Sequence, residues 1–271
     1  MNLGNRKLRL AVLVSGGGTN LQALMDHAAR GDLEGEIVVV AGDRPDAYGL
    51  IRARENGIAA HVVDYKAHMR CEMGDPLAVP LPVDLRKLDG IQKIVRDPDT
   101  EKRLRRLCRL VAAEREMIGI LDAYKPDYIC LAGFMRLLTP YFLGHYNRPG
   151  QWRVVNIHPA LLPAFPGQHG YEDTLGYGCK WGGITIHFAD EGEDSGPVLA
   201  QAVYPIWPQD GIDDVRRRGL RLEYAMYAQT INWLAAGQIH VQQSKDGRLR
   251  ASVSDPRYRD VMRRWVDLAF S

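Results

Sequence analysis

Short apolar runs alternate with amphipathic stretches in the first part of the chain. Each apolar run contains β-branched residues and is short, which indicates a strand buried on both faces of a sheet. The stretches between the runs place apolar residues on one face at helical spacing, as Leu21, Leu24 and Met25 do. We predict strands at 8–14, 36–41 and 59–63, with helices at 20–27 and 47–57. This order indicates a parallel sheet with right-handed crossovers.

The alternation breaks between Tyr65 and Asp99. Four prolines and mixed charge in this segment predict a surface insertion without a helix or strand of the core. After it we predict a helix at 99–124 with a strongly basic first part, strands at 128–132, 154–158, 183–188 and 198–203, and a helix at 220–236. From about residue 238 the chain is a polar tail with a weak strand signal near His240.

These elements define the expected architecture. We predict a single α/β domain over residues 1–271, with a Rossmann-like, open, twisted and mostly parallel sheet flanked by helices. The insertion at about 65–99 and the tail from about 238 lie outside its core. Ligands of such folds bind at the carboxyl ends of the strands, so the loops that follow the strands are the expected place for chemistry.

Composition and charge exclude several classes of protein. Hydrophobic residues make up 46% and charged residues 25% of the 271 residues, which fits a folded protein with a sizeable core. The net charge of +2 is too small for a typical nucleic-acid binder. No apolar run approaches the ~18 residues of a membrane span, and the run at 10–14 is too short for a signal peptide. We expect a cytoplasmic enzyme with small-molecule substrates and neither nucleic-acid nor membrane partners.

The cysteines give no sign of a metal or disulfide site. Cys71, Cys108, Cys130 and Cys179 form no C-x-x-C pair and have no zinc-ligand spacing. Cys130 lies in an apolar run and is expected to pack as a small hydrophobe. We therefore expect no bound metal.

A glycine-rich loop, Ser15-Gly-Gly-Gly-Thr-Asn20, joins the first strand to the first helix. Glycines let the backbone approach an anion closely, and the start of a helix directs free N–H groups at it. Leu21 stands where a dinucleotide fingerprint needs its third glycine, and the Walker lysine is absent. The loop therefore favours a simple phosphate, with a tight strand-to-helix turn as the alternative.

A second segment, 131–140, follows the strand at 128–132 and lies at the carboxyl edge of the sheet. Gly133 permits a bend there, and Met135, Leu137 and Leu138 are suited to line an apolar slot. An ordinary junction between a strand and a helix is the alternative interpretation.

Asn156 and His158 end a strand at i, i+2 spacing, so both side chains point to one face of the sheet. An amide donor beside an imidazole suits acyl transfer, because the amide stabilises a developing oxyanion and the imidazole moves a proton near neutral pH. An acidic loop follows at 187–197, and a carboxylate such as Asp194 near His158 would raise the pKa of the imidazole and fix its tautomer. These segments contain no nucleophile elbow, so we expect direct transfer without a covalent enzyme intermediate.

Together, the segments 15–22, 125–136, 156–167 and 194–197 resemble the folate-dependent formyltransferases, and among these the glycinamide ribonucleotide formyltransferases. Each segment alone is a weak to moderate match, whereas the ordered set is highly specific. The resemblance implies the formyltransferase fold. It also implies transfer of a formyl group from 10-formyltetrahydrofolate, as co-substrate, to the amine of 5'-phosphoribosylglycinamide in purine biosynthesis, without a metal.

The resemblance also implies roles for individual residues. Asn156, His158 and Asp194 match the catalytic residues, with Asn156 and a protonated His158 binding the oxyanion and Asp194 supporting the imidazole. The binding residues are Gly17, Gly18, Thr19 and Asn20 for the phosphate, Met135, Arg136, Leu137 and Leu138 with Asn156 for the folate, and Glu223 for the glycinamide end.

This chain departs from the family pattern in two places. The insertion at about 65–99 is longer than the usual connection, and Arg70, Arg103 and Arg109 all remain candidates for the arginine that meets the folate. Residues 168–171 also differ, since a histidine typically follows Gly167 sooner.

Related activities are the alternatives. A 10-formyltetrahydrofolate hydrolase usually carries an N-terminal regulatory domain, for which the strand beginning at Leu8 leaves no room. A methionyl-tRNA formyltransferase adds a C-terminal domain, and too few residues follow Gly237. A sugar-nucleotide N-formyltransferase is disfavoured by the glycine loop, and a phosphoribosyl-ligand sensor by the intact Asn, His and Asp. The pattern does not determine the oligomeric state, and a homodimer is one of the assemblies it allows.

Overall fold

A seven-stranded sheet forms the centre of the computed structural model, which describes residues 6–72, 74–148 and 150–271. The strands are β1 (Leu8–Val14), β2 (Gly35–Gly42), β3 (Ala60–Val62), β4 (Tyr128–Leu131), β5 (Val154–His158), β6 (Trp181–Phe188) and β7 (Val198–Pro205). Their order is β3-β2-β1-β4-β5-β6-β7. The first five are parallel, while β6 is antiparallel to both β5 and β7. The predicted open, mostly parallel α/β sheet is confirmed.

Helices cover both faces of the sheet and bury two hydrophobic clusters. They are α1 (Thr19–Arg30), α2 (Tyr48–Glu55), α3 (Tyr65–Arg70), α4 (Leu85–Ile91), α5 (Thr100–Ala123), α6 (Pro140–Tyr146), α7 (Gly170–Gly176), α8 (Ile212–Ala235) and α9 (Tyr258–Phe270). One cluster packs α1, α2, α8 and α9 on the sheet, and the other packs α4, α5 and α6. Within the described part of the chain, no helix is both long and apolar enough to cross a membrane.

The glycine loop lies where the strand order reverses. The chain runs outward from β1 to β2 and β3 and then returns to place β4 on the other side of β1. The loops after β1 and β4 therefore meet, and Ser15 N donates a hydrogen bond to Gly133 O at 3.1 Å. Gly18 has a φ of 68°, and a Cβ there would lie 2.6 Å from Gly49 Cα. Only glycine at position 18 therefore lets α1 begin so close to α2.

The segment 65–99 differs from the surface insertion that the sequence predicts. It forms α3, α4 and a 3₁₀ turn at Pro76–Ala78, and its residues Tyr65, Leu85, Leu88 and Val95 are buried against α5. The Asp64 and Asp84 side chains accept hydrogen bonds from the first-turn N–H groups of α3 and α4. The prolines separate these short helices rather than exclude them.

The polar tail is also more ordered than its composition indicates. A hairpin of β8 (Ile239–Gln243) and β9 (Leu249–Val253) leads into α9. Helix α9 buries Val261, Trp265 and Ala269, which recur at spacings of four residues. The Trp265 ring packs edge-on against Trp233 of α8 at a centroid distance of 5.7 Å. The C-terminal helix therefore belongs to the core.

We expect Trp265→Ala to lower the free energy of unfolding by ~3–5 kcal/mol, the typical cost of deleting a buried aromatic side chain. The neighbouring Val266 is 49% exposed, and Val266→Ala should change the free energy of unfolding by less than ~0.5 kcal/mol. Urea denaturation of both variants measures the difference. Equal stability of the two variants would show that α9 is not part of the core.

Candidate active site

A cavity opens at the carboxyl ends of β4 and β5. It is lined by residues 133–138 after β4, by Asn156 and His158 of β5, and by Asp194 in the loop between β6 and β7. The structure thus gathers in one cavity the residues that the sequence assigns to catalysis and to folate. The glycine loop lies beside this cavity, at the end of β1. Met135 N donates a hydrogen bond to Ser15 Oγ at 2.8 Å and connects the two loops.

Asp194 contacts both of the polar residues on β5. Its Oδ2 lies 3.3 Å from His158 Nδ1, and its Oδ1 accepts a hydrogen bond from Asn156 Nδ2 at 3.2 Å. Gly167 N also donates to Oδ2 at 2.8 Å. The contact with His158 is direct, so no water is needed between them. One carboxylate therefore fixes both catalytic candidates and the loop that follows β5.

His158 is only 3% exposed, and both of its ring nitrogens face oxygen acceptors. Nδ1 faces Asp194, and Nε2 lies 2.7 Å from Phe165 O. Burial lowers the pKa of His158, and the opposing effects of the Asp194 carboxylate and the Phe165 carbonyl are smaller. The predicted effect of the carboxylate is present, since Asp194 raises this pKa, but burial penalises the charged ring more and the net shift is downward. A neutral imidazole can accept a proton, and both neighbouring oxygens then stabilise the imidazolium that forms.

The backbone that presents Asp194 and Phe165 is strained. Both residues have a positive φ, 50° at Asp194 and 54° at Phe165, which is rare for a bulky side chain such as phenylalanine. Burial alone would raise the pKa of Asp194, but a hydrogen bond with His187, the charge of His158 and the Gly167 N–H together hold it below its usual value. Asp194 is therefore an ionised, immobilised carboxylate.

Sequence reasoning missed His187, which is buried beside Asn156. Its Nδ1 lies 3.0 Å from Phe188 O, and its Nε2 lies 3.2 Å from Asn156 Nδ2. Nε2 also lies 3.5 Å from Asp194 Oδ1, so in one tautomer it accepts a hydrogen bond from the Asn156 amide and in the other it donates towards Asp194. The antiparallel register pairs Asn156 with His187. The pairing of β5 with β6 could therefore have identified His187. The sequence alone, however, does not show that β6 runs antiparallel to β5.

The glycine loop and Glu223 meet at the start of α1. Gly18 is the N-cap of α1, Gly17 and Thr19 are exposed, and the first-turn N–H groups have no side-chain cap. Such a helix start attracts anions. Asn20 is buried, and its Nδ2 donates to Glu223 Oε2 at 2.5 Å. Asn20 therefore connects the predicted phosphate loop to the carboxylate predicted for the glycinamide end.

The residues after β4 that are predicted to bind the folate differ in their exposure and in their contacts. Met135 and Leu137 are exposed, whereas Leu138 is buried. Arg136 Nε donates to the buried carboxylate of Asp43 at 2.5 Å, and its guanidinium lies 5.6 Å from the centre of the Tyr65 ring. The segment thus offers apolar side chains to the cavity, while its arginine anchors it to the end of β2.

None of the three candidate arginines lines the cavity. Arg103 pairs with Asp89 at 2.6 Å, Arg109 donates to Cys71 O, and Arg70 lies exposed on α3. The cations beside the cavity are instead Lys93, Arg96 and Arg106, which line an adjoining cavity together with Ile94, Asp97, Pro98, Leu137 and Glu193. The two cavities share Ile94, Leu137 and Glu193. Lys93 and Arg96 belong to the predicted insertion, so the insertion reaches the site.

The donor set of the site is one amide, two imidazoles and one carboxylate. Among the residues that the structure describes, no group of three His, Cys, Asp or Glu side chains is arranged to hold a metal ion. Acid–base chemistry and hydrogen bonding to an oxyanion are the functions that these side chains can perform.

The chain belongs to the formyl transferase family, whose model matches residues 8–231. It is 33% identical to the phosphoribosylglycinamide formyltransferase of Escherichia coli strain K12, over 88% of this chain and 92% of that protein. The crystal structure of glycinamide ribonucleotide transformylase 1 from Symbiobacterium toebii is similar with a TM-score of 0.70 and 34% identity, over 92% of this chain and 95% of that one. A formyltetrahydrofolate deformylase from Pseudomonas syringae shares the fold at 22% identity, with a TM-score of 0.66, over 92% of this chain and 67% of that one.

A buried acid fixes the end of the segment after β4. Glu114 of α5 accepts a hydrogen bond from Thr139 N at 2.7 Å and contacts Thr139 Oγ1. Burial raises the pKa of Glu114 from 4.5 to about 8, against the hydrogen bonds from Thr139 and Phe142. The folded protein therefore keeps a proton on Glu114 at a pH where the unfolded chain has lost it.

The stabilising effect of that proton is complete below about pH 4.5 and is lost as the pH rises to about 8. Glu114→Gln imitates the neutral acid, so its stability should lack this pH dependence. Between pH 5 and 8 we expect the variant to gain on the order of 3 kcal/mol relative to the wild type. Urea denaturation across this range measures it, and parallel profiles would contradict a proton on Glu114.

Proposed function

We propose that this chain transfers the formyl group of 10-formyltetrahydrofolate directly to the amine of 5'-phosphoribosylglycinamide. One observation carries the proposal: Asp194 accepts a hydrogen bond from Asn156 and lies 3.3 Å from His158, on the wall of a cavity beside the glycine loop. The 33% identity to the Escherichia coli phosphoribosylglycinamide formyltransferase supports the choice of substrates. The chemistry needs no metal, and we place the enzyme in the cytoplasm.

The ribonucleotide binds at the start of α1. Its phosphate accepts hydrogen bonds from the backbone at Gly17, Gly18 and Thr19, of which Gly17 and Thr19 are exposed, and the helix dipole favours negative charge there. Glu223, buried next to Asn20, receives the glycinamide end. This placement directs the amine from the end of β1 towards the ends of β4 and β5.

The folate binds in the cavity after β4. The pterin packs on the apolar side chains of Met135, Leu137 and Leu138, and its formyl group lies next to Asn156 and His158. Both substrates then share one cleft, and positioning of this kind supplies much of the rate acceleration in two-substrate reactions.

The first chemical step is attack of the amine nitrogen on the formyl carbon. A C–N bond forms, and the carbonyl electron pair moves to the oxygen. Neutral His158 takes a proton from the amine after its Nε2 turns from the Phe165 carbonyl, while Asp194 stays at Nδ1 and stabilises the resulting imidazolium. The Asn156 amide donates to Asp194 and lies 3.2 Å from His187 Nε2, and one of its hydrogens turns to the oxyanion during the reaction.

The second step is collapse of the tetrahedral intermediate. The electron pair returns from the oxyanion to carbon, and the bond between carbon and the folate nitrogen breaks. His158 delivers its proton to the leaving nitrogen, so the imidazole ends neutral. The products are tetrahydrofolate and the formylated amine, with no covalent bond to the enzyme.

The direct test follows tetrahydrofolate release by absorbance from 10-formyltetrahydrofolate, with and without the ribonucleotide. We expect release only when the ribonucleotide is present. Release without it would show the hydrolase activity instead. No release from folded protein in either tube would exclude both activities and favour a sugar-nucleotide enzyme or a ligand sensor.

We expect His158→Ala to lower kcat by at least ~10², because the variant lacks the group that moves the proton. Binding of the ribonucleotide should change little, since its phosphate binds at α1. His240→Ala is the control, because His240 is exposed on β8 and contacts only Ser254 Oγ among the hydrogen bonds described. Steady-state kinetics and calorimetry measure both quantities, and near-normal turnover of His158→Ala would overturn the assignment.

The carboxylate tail of the folate extends towards Lys93, Arg96 and Arg106 in the adjoining cavity. Arg106→Gln should raise KM for the folate by ~2–5-fold, the scale of one solvent-exposed ion pair, and leave kcat unchanged. High salt should reduce the difference. Arg70→Gln is the matched control, and an effect of that variant alone would place the tail on the side of α3.

A further inference from the structure

Two side chains donate hydrogen bonds to the buried carboxylate of Glu223. Glu223 lies on α8 and is 4% exposed. Asn20 Nδ2 of α1 donates to its Oε2 at 2.5 Å, and Tyr171 Oη of α7 donates to its Oε1. Neither the sequence pattern nor the resemblance assigns a role to Tyr171. Each oxygen of the carboxylate thus has its own donor, and the plane of the group is fixed.

The Tyr171 ring packs directly against α8 at Gly219. A Cβ at position 219 would lie 2.4 Å from Cε1 and 2.6 Å from Oη of Tyr171, so only glycine there lets the ring pack onto α8. Tyr171 is itself buried in the core cluster on this face of the sheet. Among the described hydrogen bonds, the hydroxyl donates to Glu223, and its position is fixed by the packing of the ring.

We infer that Tyr171 is a positioning residue, which directs the carboxylate of Glu223 at the ribonucleotide and keeps it in the form that accepts hydrogen bonds. The inference rests on the proposed function, because it assumes that Glu223 contacts the ribonucleotide. Asn20 also has a buried Oδ1 without a hydrogen-bond partner in the described part of the chain, next to the exposed start of α1. This free acceptor fits a donor group of the ribonucleotide at the same place.

The charge state of Glu223 depends on these two donors. Burial raises the pKa of Glu223, and the hydrogen bonds from Tyr171 and Asn20 oppose it. Among the described residues, Glu223 has no ion-pair partner. Two other phenols lie near this pair. Burial and the Glu223 carboxylate raise the pKa of Tyr204 on β7, and Tyr224 of α8 acts on Tyr171. Arg218, a cation that acts on Tyr204, pairs with Asp210 at 2.7 Å.

Loss of the Tyr171 hydroxyl should therefore favour protonated Glu223. In Tyr171→Phe we expect KM for the ribonucleotide to rise on the order of tenfold at neutral pH, the scale of a lost hydrogen bond to a charged group. The value of kcat should stay close to that of the wild type, because the proton-transfer residues are untouched. KM should improve as the pH rises, with its midpoint at a higher pH than in the wild type.

Two further variants make the test specific. Tyr146→Phe removes the same kind of hydrogen bond elsewhere, since Tyr146 is buried and its Oη donates to Asp122 Oδ1 at 3.1 Å. It should leave both kinetic constants and the pH profile unchanged. Glu223→Gln should raise KM at every pH and abolish the pH dependence. Calorimetry of ribonucleotide binding between pH 6 and 9 measures the same midpoint without turnover.

The outcomes separate this inference from the proposed function. A raised KM in Glu223→Gln with wild-type constants in Tyr171→Phe would overturn the role of Tyr171 alone. A uniform rise of KM in Tyr171→Phe with an unshifted midpoint would show a merely structural role and would also overturn it. No ribonucleotide binding by the wild type would instead refute the proposed function on which the inference rests.

Discussion

The carboxylate of Asp194 is the contact on which the arrangement of the site depends. It contacts His158 and Asn156 on β5 and the backbone of Gly167, and Asp194 itself has a positive φ. One strand and two loops therefore meet at one charge. Because the charge is partly buried, removing it would leave an imidazole and an amide without their common partner. The local strain of the backbone is consistent with a position determined by function rather than by folding.

The pKa values of three acids of this protein show how burial and hydrogen-bond donors act against each other. Asp194 stays ionised because N–H donors and imidazoles surround it. Glu114 keeps its proton because the pKa rises to about 8 where only Thr139 and a backbone N–H contact it. Glu223 lies between these cases, with strong burial and two donors. The same functional group therefore supports the imidazole at Asp194, stays neutral beside Thr139 at Glu114, and at Glu223 is the proposed contact of the ribonucleotide.

Local patterns predict the centre of the fold well and its edges less well. The apolar run of β1 and the strand that ends at His158 are found at their predicted bounds, because a buried parallel strand leaves a short, continuous signal. Helix α8 begins at Ile212, before the predicted residue 220, since its first turns are charged and lack an apolar stripe. Asn156, His158 and Asp194 are predicted together, whereas Tyr171 beside Glu223 and Lys93 in the adjoining cavity are not, because only tertiary packing places them there. The sequence likewise does not show that burial lowers the pKa of His158.

The central claim is that the glycine loop and the cavity after β4 hold two substrates whose reacting atoms meet beside Asn156 and His158. A crystal structure with the ribonucleotide and an unreactive folate analogue tests this claim most directly. The account predicts the phosphate at the start of α1 and the amine nitrogen ~3–3.5 Å from the position of the formyl carbon. A phosphate bound elsewhere, or an amine directed away from His158, would contradict it.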